Sequence, residues 1–158
     1  MSASLSIAEL RVDDLLARIG GPAVSPGAGV AGAVALALAA ACASKAVSVS
    51  LKHHPADREL QSARDAFQRI ASAALNDADL DAEAFAVLIH SKGRGAIDQV
   101  VSETERLKRL IGALTGAIDE VAVKIRPNMI GDVVAARALA AAAKRIQERN
   151  EGEALQLR

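Results

Sequence analysis

Ser25-Pro26-Gly27-Ala28-Gly29-Val30-Ala31-Gly32-Ala33 turns the chain and opens a helix, and the residues that follow decide the fold. No charged side chain occurs from Gly27 to Ser44. A surface helix carries charge on its outer face, so a helix bare of charge over this length belongs inside a bundle or a membrane. Ala and Gly dominate the stretch, Lys45 interrupts it and no aromatic belt flanks it, which argues for the bundle and against a membrane. The glycines let the backbone turn tightly and bring its N–H groups up to another molecule or helix. An open helix N-terminus in that position is suited to hold an anion.

On either side of this central helix, predicted from about Gly29 to Leu51, the pattern is helical throughout. Ser6-Ile7-Ala8-Glu9 reads as a capping box, and Val12, Leu15, Leu16 and Ile19 mark an amphipathic first helix that Gly20-Gly21-Pro22 stops. After His53-His54-Pro55 a long third helix is predicted from Leu60, Ala63, Phe67, Ile70, Ala74, Ala78, Asp81, Phe85 and Leu88, which recur at three- and four-residue steps. Ser91-Lys92-Gly93-Arg94-Gly95 is a loop. The fourth stripe is Ile97, Val100, Thr104, Leu107, Ile111, Leu114, Ile118, Val121 and Ile125, with Gly112 and Gly116 pointing to close helix contact or a bend. Arg126-Pro127-Asn128 ends it. A fifth helix covers about Met129 to Arg149, and Glu151 to Arg158 are expected to fray.

Composition agrees. Of 158 residues 36 are Ala, and Phe67 and Phe85 are the only aromatics. Close helix packing, not sheet, follows from that usage. The pattern therefore predicts an all-α, up-and-down bundle of about five helices in a single domain over 1–158. The strongly apolar stripes predict that one face is covered by a second copy, giving a homodimer. Nineteen acidic and 19 basic residues cancel, so no net field draws the chain to nucleic acid, and stacking of bases on aromatic side chains is ruled out by composition. The single Cys42 excludes an internal disulfide and reads as a small buried hydrophobe. The N-terminus has no basic region before an apolar run, so no signal peptide is read and a cytoplasmic protein is expected.

Among residues able to carry chemistry, Asp81 stands out because its neighbours on the stripe are apolar. A carboxyl facing a bundle interior is costly unless paired, hydrogen-bonded or protonated, and its raised pKa suits general acid–base work near neutrality. The alternative reading places Asp81 at a solvated edge. Asp77, Asp79, Asp81 and Glu83 alternate like a calcium loop, but that loop needs Gly and Glu where Ala82 and Leu88 stand. If the segment is helical, Asp79 and Glu83 share the wet face. Asn128 or Gly131 is placed to cap the fifth helix, with Asp132 in its first turn, where the macrodipole favours a negative charge. His53, His54 and His90 lack the i, i+4 partner of a metal pair, and no metal site is predicted.

These motifs together resemble the cyclodeaminase/cyclohydrolase family, meaning the C-terminal domain of formiminotransferase-cyclodeaminase and the stand-alone methenyltetrahydrofolate cyclohydrolases. That family opens with Pro-Thr-Pro-Gly-Gly-Gly-Ser and an Ala-rich helix ending in Asn-Leu-Thr. Ser25, Pro26, Gly27 and Gly29 match it, and Ala33, Ala40, Ala41, Ser44 and Leu51 fall in register; Ala28, Val30 and Ser48 replace the family's Gly, Ser and Asn. Asp81-Ala82-Glu83-Ala84-Phe85 reproduces its acidic segment. Pro127-Asn128-Met129-Ile130-Gly131-Asp132-Val133 is similar to its Pro-Asn-x-x-Ser-Asp-Val motif, with Gly131 for Ser.

The resemblance implies a folate one-carbon enzyme. Such an enzyme either hydrolyses methenyltetrahydrofolate to 10-formyltetrahydrofolate or cyclises formiminotetrahydrofolate with loss of ammonia. The tetrahydrofolate derivative is the substrate, and no metal or redox cofactor is called for. It implies Asp81 and Asp132 as catalytic carboxylates. Ser25, Gly27, Gly29, Ser48, Lys52, Lys92 and Asn128 would bind substrate, Asn128 and Asp132 at the pterin end and Lys92 in place of a family lysine. Because several motif residues are replaced, a second reading stands beside the first: a non-catalytic helical subunit or interaction protein that keeps the family fold.

Overall fold

The computed structural model describes residues 6–91 and 93–157, and among them are five α-helices and no strand. They are α1 (Val12–Ile19), α2 (Ala28–Leu51), α3 (Arg58–Ser91), α4 (Arg94–Val121) and α5 (Ile130–Leu155). The four long helices form a ring in which each packs on its chain neighbours and α5 closes against α2. Short connections make neighbours antiparallel, so the order is up-down-up-down. One end of the bundle gathers the N-termini of α2 and α4 with the C-termini of α3 and α5. The opposite end gathers the other four termini.

The apolar positions forecast from the sequence fill this ring. On α2 the buried set includes Val30, Ala33, Leu36, Ala40, Ala43 and Val47, which spreads round the helix as its charge-free sequence requires. α3 contributes Leu60, Phe67 and Ile70, and α4 contributes Leu107, Ile111, Leu114 and Ile118. Each such side chain, fully withdrawn from water, contributes about 1.5–3 kcal/mol before entropy is counted. Close approach of α5 to α2 rests on Gly32, where a Cβ would stand 2.7 Å from Gln147 Nε2 and 3.0 Å from Ile146 Cγ2. α2 is also the one described helix long and apolar enough to cross a membrane, and just over half of its most apolar stretch, 56%, is buried in the bundle.

Local signals explain the helix ends. Asp57 caps α3, its Oδ1 accepting the N–H groups of Glu59 and Leu60 at 3.0 Å each. Those backbone bonds, with Lys124 at 3.0 Å, hold the Asp57 carboxyl below its ordinary range. Its stabilising effect is therefore present above the unfolded pKa and is lost as pH falls through the folded one. At the same end of the bundle, Ser50 Oγ near the C-terminus of α2 donates to Ala46 O at 2.9 Å and accepts the Arg126 N–H at 3.1 Å, which fixes the α4–α5 connection.

Four expectations need correction. The Ser6–Glu9 box does not start α1: it closes a separate 3₁₀ turn, Ile7–Glu9, with Ser6 N–H donating to Glu9 Oε2 at 3.2 Å. α1 follows as the first of the five expected helices, short and with no buried residue, beside the ring of the four long ones. Gly112 and Gly116 make no close helix contact, since both are exposed and nothing stands within 4 Å of either Cβ position. The segment after Arg149 does not fray either: α5 continues to Leu155, with Ala154 buried among Ala84, Leu88, Ile97 and Val100. Cys42, expected to be buried, is half-buried and packs against the core.

Candidate active site

The end of the bundle that holds the N-terminus of α2 contains a cavity of about 390 Å³. This falls in the size range of small-molecule sites. Its walls are apolar: Phe85, Leu88 and Ile89 from α3, Val100 from α4, Ala154 from α5 and Leu157 just beyond it. The continuation of α5 that the sequence concealed is thus one wall of the site. Lys108 Nζ, 2.7 Å from Glu151 Oε2, ties that wall to α4.

Asp81 lines the same cavity beside Ser25, Gly27 and Gly29. Ser25 Oγ donates to Ala82 O at 3.2 Å, so the turn entering α2 is fastened to α3 next to Asp81. Gly27 precedes α2 without a side-chain cap, and no acidic residue occupies the first turn, so the N–H groups of that turn face the site. Gly29 is needed for its missing Cβ and not for its backbone angles, since no described glycine has positive φ. A Cβ there would overlap the Asp81 carboxyl. Gly29→Ala is accordingly expected to displace Asp81 and lower the thermal midpoint by about 5 °C. Asp81→Gly in the same chain should restore the midpoint. An unchanged midpoint in the single variant would show that the carboxyl has room to spare.

Burial, and next the negative charge of Glu103, raise Asp81 from 3.8 to about 6. The dipole of α2 pulls the other way by about 0.3–1 kcal/mol, which is less than one pKa unit and does not reverse the direction. The result is a carboxyl that exchanges its proton near neutrality, inside an apolar cavity, against a helix N-terminus. It can take a proton from a reacting group and return it, and its anion can stabilise a cationic carbon.

Behind Asp81 lies a group of charges that the sequence reading missed. Asp77, one turn earlier on α3, is only 4% exposed. Arg106 Nη2 from α4 stands 2.5 Å from Asp77 Oδ1 and 2.7 Å from Glu103 Oε2. Buried Gln147 of α5 also faces this end, its Nε2 donating to Gly29 O at 3.3 Å. The available signal was Asp77 four residues before Asp81, on the same helix face. Asp79 is not on a wet face with Glu83: its Oδ1 accepts the Ile7 N–H at 2.7 Å and pins the N-terminal turn.

The other expected site residues lie elsewhere. Asp132 is 3.5 Å from Lys45 in an ion pair at the far end of α2. Ser48, Lys52 and Asn128 share that end. Sixteen residues separate Gly29 from Lys45 on one helix, so within a chain the two groups are about 24 Å apart. Lys92 lies outside the described residues.

Comparison with known proteins bears directly on this arrangement. The sequence pattern described as formiminotransferase-cyclodeaminase matches residues 11–149. The crystal structure of formiminotetrahydrofolate cyclodeaminase from Thermotoga maritima superposes with a TM-score of 0.89 at 19% identity, covering 95% of this chain and 80% of that one. At that identity the likeness establishes the fold. Curated protein sequences give no match.

Proposed function

This chain belongs to the formiminotransferase-cyclodeaminase family, and from that premise we propose that it is a cytoplasmic folate one-carbon enzyme whose acid–base group is Asp81. The observation that carries the reading is the Asp81 carboxyl, which lines a mainly apolar cavity against the open N-terminus of α2. A flat heterocycle fits such walls, and its one-carbon cation fits the carboxylate.

In the cyclising direction, N10 of formiminotetrahydrofolate attacks the formimino carbon. The π pair of the C=N bond moves to the exocyclic nitrogen, which takes a proton from the Asp81 carboxyl, and the carboxylate then accepts the N10 proton. Returning that proton to the exocyclic nitrogen lets ammonia leave with the electron pair of the broken C–N bond, and N5 closes the amidinium. The cycle consumes one proton from solvent. In the hydrolytic direction, Asp81 takes a proton from water as oxygen adds to the amidinium carbon and the C=N π pair returns to N5; it then gives that proton to N5 as the C–N5 bond breaks with its pair on N5, and the carbinol loses its O–H proton to solvent to leave the formyl group on N10. Either direction uses one carboxyl alternately as acid and as base, for which a pKa near neutrality is suited.

The folate reading is tested by calorimetry with methenyl- and 5-formyltetrahydrofolate, and by following methenyltetrahydrofolate absorbance. Micromolar binding with turnover is the expected result. A folded protein that binds neither folate at millimolar concentration sinks it and favours a non-catalytic subunit.

We further propose that the active unit is a homodimer formed through the outer faces of α2 and α5. Leu38 is 53% exposed and Val134 60%, next to exposed Ala41 and Ala138 on a surface poor in charge. The midpoint of α2 falls beside Leu38 and Ala41. A two-fold there runs the paired helices antiparallel, and brings the Ser48, Lys52, Asn128 and Asp132 end of one protomer against the Asp81 end of its partner. Leu38→Glu is expected to yield monomers by light scattering. Mixing Asp81→Asn with Asp132→Asn protein should restore about a quarter of the intact sites by chain exchange. No recovery on mixing would place each site within one chain.

A further inference from the structure

The cavity is polar in two places. One is the Asp81 end, with Ser25 and the first turn of α2; the other is the end of α5, with Asn150, Glu153 and then Gln156. Asn150, Glu153 and Ala154 stand on one face of α5, and Gln147 lies one turn deeper on that face. Gln147 sets the direction of the face. Its Nε2 donates to Gly29 O at 3.3 Å, and the Asp81 carboxyl fills the space beside Gly29 where a Cβ would stand. Outward from Asp81, α5 therefore presents Gln147, Asn150 and Glu153 in that order.

This face carries open hydrogen-bonding groups. Gln147 Oε1 is buried with no partner. The Asn150 amide has none among the described residues. Glu153 Oε1 accepts Arg149 Nε at 2.7 Å, which steadies the carboxylate and leaves Oε2 without a partner. Polar groups left open beside a cavity call for a partner from outside the chain. The acid–base chemistry of Asp81 uses none of them.

We propose that α5 reads the heterocycle of the substrate: Glu153 accepts the 2-amino and N3–H groups of the pterin ring, and Asn150 donates to its O4. The inference rests on the folate reading above and adds which edge of the ring each residue takes. A carboxylate accepts two parallel N–H groups, and an Asn amide donates through its NH₂. Three residues on a helix span a rise of about 4.5 Å, which suits the amino–oxo edge of one six-membered ring. O4 is the neighbour of N5 on the fused ring. With O4 on Asn150, the deeper residue, N5 turns inward to Asp81; the reverse orientation carries N5 out to the mouth. Within one chain the pterin edge thus falls to Asn150 and Glu153, and not to Asn128 and Asp132 at the far end.

The test is a fluorescence titration of the full protein with two free heterocycles, pterin and lumazine, the latter with oxygen in place of the 2-amino group. The chain has no Trp or Tyr to obscure the signal. Pterin should bind about tenfold more tightly than lumazine, because a carboxylate meets an N–H in one and a carbonyl in the other. Glu153→Gln should erase that preference, and should raise KM for methenyltetrahydrofolate about tenfold with kcat little changed. The Glu153 side chain is 57% exposed, and loss of its surface pair with Arg149 costs the fold little. Equal affinity for the two rings in the parent, no binding of either, or a preference unchanged in Glu153→Gln overturns the proposal. Folate turnover without the preference leaves the folate reading standing and removes this one. The preference without turnover of any folate does the reverse.

Discussion

Asp81→Asn is expected to reduce turnover by about 10²- to 10⁴-fold and to make the protein more stable above pH 6. Asn keeps the shape of the side chain and cannot carry a proton between reacting atoms. The gain in stability follows from the same burial that makes Asp81 useful. Its folded pKa, about 6, lies above the ordinary 3.8. The native state therefore holds the proton more tightly than the unfolded state does. For this group, stability is greatest below pH 3.8, declines as pH rises between 3.8 and about 6, and stays reduced above that. Two pKa units correspond to about 3 kcal/mol as a ceiling. Water at the cavity mouth lowers this, so a gain of about 1–2 kcal/mol at pH 8 is expected, vanishing near pH 4. Urea titrations of both proteins at pH 4 and pH 8 measure it. A variant that turns over normally, or that is less stable than its parent at pH 8, would sink the assignment of Asp81. A site that costs stability in order to function is what an acid–base carboxyl in an apolar cavity should be.

Much of this was legible in the sequence because helices announce themselves by period. The α3 and α4 stripes fell on the buried face almost residue for residue, and the charge-free run at Gly27–Ser44 identified the helix that touches both its neighbours. Asp81 stood out because one polar residue in an apolar stripe breaks the pattern. Asp77, Glu103 and Arg106 did not, for a physical reason. They lie at the borders of their stripes, where a charged residue normally reaches water, and only the meeting of two helices shows that their partners are each other. The end of α5 was hidden likewise: a run of polar residues from Gln147 to Glu153 conceals that Gln147 and Ala154 are buried, and only packing reveals a cavity wall. Gly112 and Gly116 misled in the opposite sense, because small residues mark an approach only when a neighbour is present. The separation of Asp132 from Asp81 could not be read at all, since motif order along a chain carries no distance between helix ends.

The second large effect concerns the charges behind the site. Arg106→Leu is expected to destabilise the protein by about 3–5 kcal/mol, more than any surface charge change would. Asp77 is 4% exposed and Arg106 is its ion-pair partner at 2.5 Å. Removing the guanidinium strands a carboxylate where water does not reach. Glu103, 14% exposed at its side chain, is stranded less completely. The pair itself contributes much less than its loss costs, because Asp77 gave up its hydration to meet a guanidinium that stays 39% exposed. Asp77→Leu combined with Arg106→Leu should therefore recover most of the loss, and a double-mutant cycle by urea denaturation measures the difference. If Arg106→Leu alone stays within about 1 kcal/mol of the parent, Asp77 finds other support and the seam is not held by charge. If the double variant is as unstable as Arg106→Leu, the guanidinium acts through packing of its stem and not through Asp77. Recovery of stability in the double variant together with altered titration of Asp81 would separate the two duties of this cluster: apolar residues can replace its contribution to folding, but not the arrangement of charge that Glu103 presents to Asp81.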